Sequence, residues 1–250
     1  MPELPEVERA RQVIEAGALH RRISAVDDAD TYVARPHAPG EIADALVGRA
    51  LVAAHRRGKA MWVETSDEGP ILGLHLGMAG RLVVDEDPAP NNWDRFTIHF
   101  ADGGMLALRD KRRLGRARLE PDLDLVGPDA AEISRAEFRA RIGRGTAPLK
   151  ARLMDQGVIA GVGNLLADET LWRAGLSPRH EAGSLNEEQL DRLRRELRAA
   201  TRSAIRKGGV HTGGFIAHRE RGGVCPRCGT PLERATVGGR TTYWCPAEQV

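Results

Sequence analysis

Long apolar runs are missing from this chain of 250 residues. None approaches the ~18 consecutive apolar residues of a membrane-spanning helix. The opening stretch, Met1–Gly17, also lacks a basic leader followed by an apolar core, so membrane and secretory readings are set aside. Cysteine is nearly absent: there are three, all beyond position 224. That scarcity argues against a disulfide framework and for a reducing, intracellular compartment. No internal repeat or low-complexity tract is present. A large net charge is lacking too, at +2, yet the charge is unevenly spread. Arg109–Arg118 holds six basic residues against Asp110, and Arg202–Arg240 holds eight against Glu220 and Glu233. Local basic patches suit a polyanion, although any single run is more often a solvated face.

The length suits one large or two modest domains with real cores. Pro5 is well placed in the first turn of a helix, where its missing N–H costs nothing. Val7, Ala10, Val13 and Ile14 then recur at helical spacing as far as Gly17, which predicts a buried helix at the start. Short apolar stretches follow at Met61–Thr65, Ile71–Leu76 and Leu82–Val84. Phe96, Ile98 and Phe100 alternate with polar residues, and Asp102-Gly103-Gly104 turns the chain into Met105–Leu108, a hairpin signal. From Ser134 the period becomes helical. Ser134-x-x-Glu137 and Ser184-x-x-Glu187 read as capping boxes. Leu190, Leu193, Leu197, Ala200 and Ala204 line a helix of roughly five turns ending at Gly208. A helix from Pro148 to about Gln156, the glycine-rich Gly157–Gly163 and a helix from Asn164 to Gly175 lie between. The expected fold is α+β. An N-terminal β-sandwich domain with flanking helices (1–125) precedes a helical domain (130–222) and a zinc-ribbon-like β-hairpin (223–250), with the linker near 120–130.

Several stretches invite chemistry. An N-terminal secondary amine at Pro2, exposed once Met1 is removed, would sit at the positive end of a helix dipole, which disfavours its ammonium form and leaves a nucleophile. Glu3 beside it can move protons; solvated glutamates before an ordinary helix are the plain alternative. The glycine-rich loop ends at a helix N-terminus, where exposed N–H groups can hold a phosphate or merely form a turn. Cys225-Pro226-Arg227-Cys228 and Cys245 have the spacing of a zinc ribbon.

The run Met1-Pro2-Glu3-Leu4-Pro5-Glu6-Val7-Glu8 resembles the start of the formamidopyrimidine-DNA glycosylase and endonuclease VIII family of base-excision repair enzymes. Further matches lie along nearly the whole chain. The resemblance implies that Pro2 is the nucleophile and Glu3 a proton shuttle. Gly157–Glu169 is similar to the family's helix–two-turn–helix motif, with Asn164 on the DNA backbone. Lys59, at the start of a strand after Arg56-Arg57-Gly58, resembles the lysine that binds a phosphate beside the damaged nucleotide. His75-Leu76-Gly77-Met78-Ala79-Gly80-Arg81 resembles the loop whose methionine enters the duplex. Asp110–Gly115 resembles the loop carrying an arginine and an apolar wedge, here Arg112 and Leu114. Chemistry on a base needs that base out of the stack, and such side chains fill the gap. Leu114 departs from the phenylalanine of the 8-oxoguanine enzymes, and the interval Gly208–Cys225 is shorter than the family stretch that includes a lid.

The family tail has four cysteines; here Glu248 stands where the fourth is expected, with Gln249 beyond it. The implied structural zinc would be held by Cys225, Cys228, Cys245 and Glu248. A metal-free hairpin packed by Tyr243 and Trp244 is the alternative. Arg240 matches the hairpin arginine that holds phosphate. Lys59, His75, Asn164 and Arg240 would then pin phosphates, while Glu6 orders water. The expected activity is that of a bifunctional glycosylase and abasic-site lyase. It would act as a cytoplasmic, nucleoid-associated monomer on double-stranded DNA carrying damaged bases or abasic sites, with no catalytic cofactor. The alternatives are a lyase chiefly for abasic sites and a non-catalytic damaged-DNA binder.

Overall fold

A computed structural model describes residues 2–86 and 91–250. Met1, whose removal the amine chemistry requires, lies outside the described residues. The chain forms two compact units that divide at Asp124/Leu125, with one exception at the start: Glu3–Glu6 belong to the second unit.

The first unit is built on two four-stranded antiparallel sheets. In chain order its elements are α1 (Leu4–Gly17, from Val7 onward), β1 (Ile23–Asp27), α2 (Thr31–Ala34), α3 (Glu41–Leu46), β2 (Leu51–Arg57), β3 (Ala60–Thr65), β4 (Leu72–His75), β5 (Arg81–Asp85), β6 (Asp94–Phe100), β7 (Met105–Arg109) and β8 (Arg116–Leu119). The sheets run β1-β6-β7-β5 and β2-β3-β4-β8. One core takes Phe96, Ile98, Phe100, Leu106 and Leu108 from the first, and Met61, Val63, Leu72 and Leu74 from the second. Val7, Ala10 and Ile14 of α1 enter the same core. Val13 does not: it is exposed, because the apolar stripe of α1 is one residue wide at that turn and Ile14 occupies it. The β6–β7 hairpin turns through Gly103 and Gly104, both at positive φ, as the Asp-Gly-Gly signal requires. Lys59 is not on a strand. Arg57 pairs with Ala60, so Gly58 (φ +61) and Lys59 form the two-residue turn between β2 and β3.

The second unit contains α4 (Arg135–Ile142), α5 (Leu149–Met154), α6 (Asn164–Ala174), α7 (Glu187–Lys207) and the hairpin β9 (Glu233–Val237) and β10 (Arg240–Trp244). Phe138, Leu149, Leu153, Leu166, Leu171, Leu193 and Leu197 are fully buried in its main core. Ser134 caps α4, accepting the Glu137 N–H, but the Glu137 carboxylate reaches Arg141 rather than back to Ser134. The capping box expected at Ser184 lies two residues later. Asn186 and Gln189 exchange the reciprocal bonds, and Ser184 closes a preceding 3-10 turn. A smaller cluster of Trp172, Phe215, Cys225 and Cys245 supports the hairpin.

Candidate functional site

In the second unit, the site is organised by a carboxylate that the sequence places 160 residues from its partners. Glu3 is 1 % exposed. Its oxygens accept the N–H groups of Gly163 (3.0 Å), Leu165 (2.9 Å) and Leu166 (3.0 Å) at the start of α6. A Cβ at Gly163 would strike the Glu3 side chain, so only glycine admits this approach. Three donors on one acid match the acceptor-only inventory of an ionised carboxylate, and the positive end of α6 favours it further. The neighbouring backbone is pinned as well: Leu4 N–H donates to Gly161 O, and Glu6 accepts from Glu3 N and Val210 N (2.9 and 2.7 Å). Glu6 therefore positions backbone, where the sequence suggested ordering of water.

Of the two readings open to the glycine loop, this geometry fits a turn for most of its length. Asp155 takes the N–H groups of Gly157, Val158 and Ile159, Pro128 takes Ala160, and Gln156 takes Gly161. Glu3 takes those at the helix start. Most of the loop's donors are thus satisfied from within, and the Val162 and Asn164 N–H groups alone have no acceptor among the described residues.

What faces outward is the side chain of Asn164, and its orientation follows from Lys150. Lys150 is fully buried. Its ammonium touches Asp168 Oδ1 (2.7 Å), Asn164 Oδ1 (2.6 Å), Thr242 Oγ1 (2.8 Å) and Thr241 O (3.4 Å). Because an ammonium only donates, the Asn164 oxygen must face it, leaving the Asn164 amide N–H groups as donors elsewhere. Asp168 is also buried and takes Arg219 through its other oxygen (2.5 Å). Desolvation lowers the Lys150 pKa, opposed by the charge of Asp168 and, more weakly, that of Glu3. The network thus joins α5, α6 and β10. It fixes Asn164 beside the strand that begins at Arg240, an exposed residue just past the Gly238-Gly239 turn.

In the first unit the candidate residues cluster on two touching loops. Met78 is 42 % exposed in the Gly77–Gly80 turn. A Cβ at Gly77 (φ +59) would meet Gly115 N at 2.6 Å, so this turn lies directly against the Leu114–Gly115 backbone. The Asp110–Gly115 loop is wound around one buried carboxylate. Asp110 accepts from Arg112 N (2.9 Å), Leu114 N (2.8 Å) and Gly115 N (2.8 Å). Arg113, at φ +57, turns back to a two-pronged pair with Asp30. Arg112 is left exposed and Leu114 half-buried. Neither Met78 nor Leu114 is an ordinary core residue.

His75 ends β4, opposite Arg116 on β8. Partial desolvation, then the charges of Arg116, Lys59 and Arg118, hold its pKa below the usual histidine value. It is neutral at pH 7. Gly77 N–H donates to its Nδ1 (3.0 Å), which puts the proton on Nε2 as a donor. Lys59 and the two arginines supply the positive charge around it.

The three thiols converge within 4.8 Å of one another. Cys228 and Cys245 sulfurs stand 3.5 Å apart, too far for a disulfide and compatible with two thiolates on one tetrahedral metal. Burial raises the Cys245 thiol pKa, whereas N–H groups of Cys228 and Arg227 outweigh burial at Cys225 and lower it. The Glu248 carboxylate lies 3.8 Å from Arg227 Nη1 and is not among the converging ligand atoms. Gln249 clamps the tail, accepting from Cys245 N and donating to Leu176 O.

Three family profiles match in sequence order. They are the formamidopyrimidine-DNA glycosylase N-terminal domain at 1–117, the H2TH domain of the same enzymes at 126–214, and the zinc finger found in FPG and IleRS at 222–247. A formamidopyrimidine-DNA glycosylase from Chloroflexus aggregans is 35% identical over 276 residues, covering 100% of this chain and 99% of the relative. One from Nocardioides is 33% identical and covers 100% and 94%. The chain belongs to the formamidopyrimidine-DNA glycosylase family. Among solved structures, the Lactococcus lactis Fpg complex with abasic-site DNA superposes with a TM-score of 0.86 at 27% identity, covering 99% of both chains. A MutM complex with DNA containing carbocyclic 8-oxo-G gives 0.86 at 28%, again over 99% of both.

In this chain, the three convergent thiols and the zinc-finger match identify a structural zinc site at the hairpin. When bound, the metal cross-links the ends of the β9–β10 hairpin. The residues that sequence reasoning passed over are Lys150, Asp168 and the bond-accepting role of Asp110. Only Asp110 left a signal, as the one acid inside a run of six basic residues. The described residues contain no helix long and apolar enough to cross a membrane.

Proposed function

We propose that this protein is a bifunctional DNA glycosylase and abasic-site lyase of base-excision repair, working through the Pro2 amine. The observation that carries the proposal is the burial of Glu3, the residue joined to Pro2, in a fixed cap on α6 with three backbone donors. A carboxylate so held is preorganised, so it meets a developing positive charge without reorganisation. In the proposed reaction the Pro2 nitrogen bonds to the sugar C1′ of an extruded nucleotide as the C1′–base bond breaks, the leaving base taking the proton released by that nitrogen. The C1′–O4′ bond then opens, O4′ taking a proton from solvent water, and the nitrogen lone pair completes the C=N bond of an iminium. The resulting iminium acidifies the C2′ proton, and β- then δ-elimination breaks the strand. Glu3 assists ring opening and stabilises the cationic intermediate.

In the same reading Lys59, neutral His75, the Asn164 amide and Arg240 hold phosphates, while Met78, Arg112 and Leu114 fill the gap left by the base. Glu248 serves as fourth zinc ligand by exchanging Arg227 for the metal. Each proposed contact is supplied by one chain, which fits action as a monomer; a cytoplasmic, nucleoid-associated location is part of the same proposal.

The lesion is proposed to be an oxidised pyrimidine, a ring-opened purine or an abasic site, in preference to 8-oxoguanine. Residues 209–218 are a compact pair of 3-10 turns, with Phe215 fully buried and its N–H held by Glu169 (2.9 Å). Such a segment offers little to close over a base. The same observation favours the second reading, a lyase acting chiefly on abasic sites.

Borohydride trapping on a duplex with one abasic site tests the proposal, using protein shown by intact mass to begin at Pro2. Wild type is expected to form a stable adduct, Pro2→Gly to form none, and Glu3→Gln to form less. Absence of an adduct from wild type that binds the duplex would leave only a damaged-DNA binder. A panel of lesion duplexes then separates glycosylase from lyase.

A further inference from the structure

The longest helix carries a charged face that the proposed site does not use. From Arg192 to Lys207, α7 bears seven basic side chains and one acid, Glu196. Arg194, Arg198 and Arg202 follow one another at four-residue intervals and so stand in line along the helix. Like charges at that spacing destabilise a helix. The helix dipole accounts for Arg206 and Lys207 in the last turn, but its effect fades before Arg194 and Arg198.

Together with Arg135, Asp191 and Arg195, the three arginines line an open groove. Asp191 does not neutralise them, since it is taken by Arg135 and by Arg139 (2.8 Å). The Arg194 guanidinium is turned to the Ile133 carbonyl (2.9 and 2.7 Å), and burial and the Arg198 charge disfavour its own. Arg198 and Arg202 make no hydrogen bond or ion pair with another described residue. The groove contains no apolar or aromatic side chain, so it lacks the buried anchor on which protein interfaces depend. A polyanionic backbone needs no such anchor, because released counterions supply the binding energy. α7 packs on α4 and α6, and none of these arginines bonds to Asn164, Lys150 or the β9–β10 hairpin among the described residues.

We propose that the arginine strip of α7 is a second, sequence-independent contact for the phosphodiester backbone of DNA, additional to the residues that hold the lesion. It rests on the repair reading only for the identity of the polyanion. The helix rises 6 Å per four residues, so the three guanidinium groups span about 12 Å, a length of duplex that presents roughly seven phosphates.

The test is an Arg198→Gln/Arg202→Gln double variant of the full chain. Binding to an undamaged duplex of about 60 base pairs is followed against salt concentration, and abasic-site trapping on a duplex of about 13 base pairs is measured in parallel. The variant is expected to bind the long duplex ~5–10-fold more weakly at 0.1 M salt, with the slope of log K against log salt reduced by about 1.8. Trapping on the short duplex and the melting temperature should be unchanged. Unchanged affinity and slope on the long duplex would overturn the proposal. So would a loss confined to an acidic polypeptide such as polyglutamate, which would assign the strip to a protein. If wild type fails to trap at all, the repair reading falls while the long-duplex comparison still decides the strip.

Discussion

The two units hold their candidate groups by opposite means. In the second, the polar side chains that matter are buried and satisfied by the chain itself: Glu3 by α6, and Lys150 by Asp168, Asn164 and Thr242. In the first, Met78 and Arg112 stand exposed on loops, and a single buried carboxylate, Asp110, sets the backbone beneath them. The difference separates two tasks. On the proposed function, a group that must keep one orientation through a covalent reaction is enclosed, whereas a group that must enter another molecule is presented on a loop whose root alone is rigid.

The comparison breaks hardest at Lys150. Lys150→Met leaves the buried Asp168 with Arg219 and a long bond from the Tyr243 N–H (3.4 Å), and should cost about 3–5 kcal/mol in urea unfolding. The double variant Lys150→Met/Asp168→Leu should recover part of the loss. Asp110→Ala removes one acceptor from three N–H groups and should cost about 2–3 kcal/mol in the same assay, with a parallel fall in strand cleavage. Gly77→Ala forces a side chain into the Leu114–Gly115 backbone at positive φ, and about 1–2 kcal/mol of stability should go.

At the exposed tip the two effects should part company. Met78→Ala is expected to leave stability within about 0.5 kcal/mol of wild type, while excision in single-turnover assays falls ~10-fold. The smallest effect is at His75. Its folded pKa is depressed, so between that value and the unfolded value near 6.5 the unfolded chain binds more protons. The stability contributed by its neutral form is therefore complete above about pH 6.5 and declines as pH falls through that window. Thermal melts at pH 7.5 and 5.5 should show a larger acid loss in wild type than in His75→Gln.

Much of this contrast was legible in the residue string because local patterns report local structure. The alternation of Phe96, Ile98 and Phe100 and the Asp-Gly-Gly turn fix the β6–β7 hairpin within a few residues. The leucine stripe of α7 likewise finds its helix. Ser184 misled because Asn186-x-x-Gln189 offers the same capping pattern two residues later, and only the start of α7 decides between them. The glycine loop left two readings open for another reason. Its N–H groups appear open in a local window, yet Asp155, Gln156 and Pro128 take most of them, and the acceptor of the Gly163 N–H, Glu3, lies 160 positions away. Lys150 carried no signal, since its partners stand 14, 18 and 92 residues distant and a lone lysine at a helix start is ordinarily solvated. Local chemistry is readable from neighbours in sequence; buried charge pairing is readable only from neighbours in space.

The sewing of Glu3–Glu6 into the second unit has a consequence for how activity is born during synthesis. Glu3 and Glu6 are held by residues made much later in synthesis: Gly163, Leu165, Leu166 and finally Val210. A nascent chain ending before Gly157 already carries Glu3 but lacks the N–H groups that orient its carboxylate. On the proposed function, competence to cut a DNA strand would therefore arrive only after the α6 segment is made, and a fragment ending before it would be a poor nuclease.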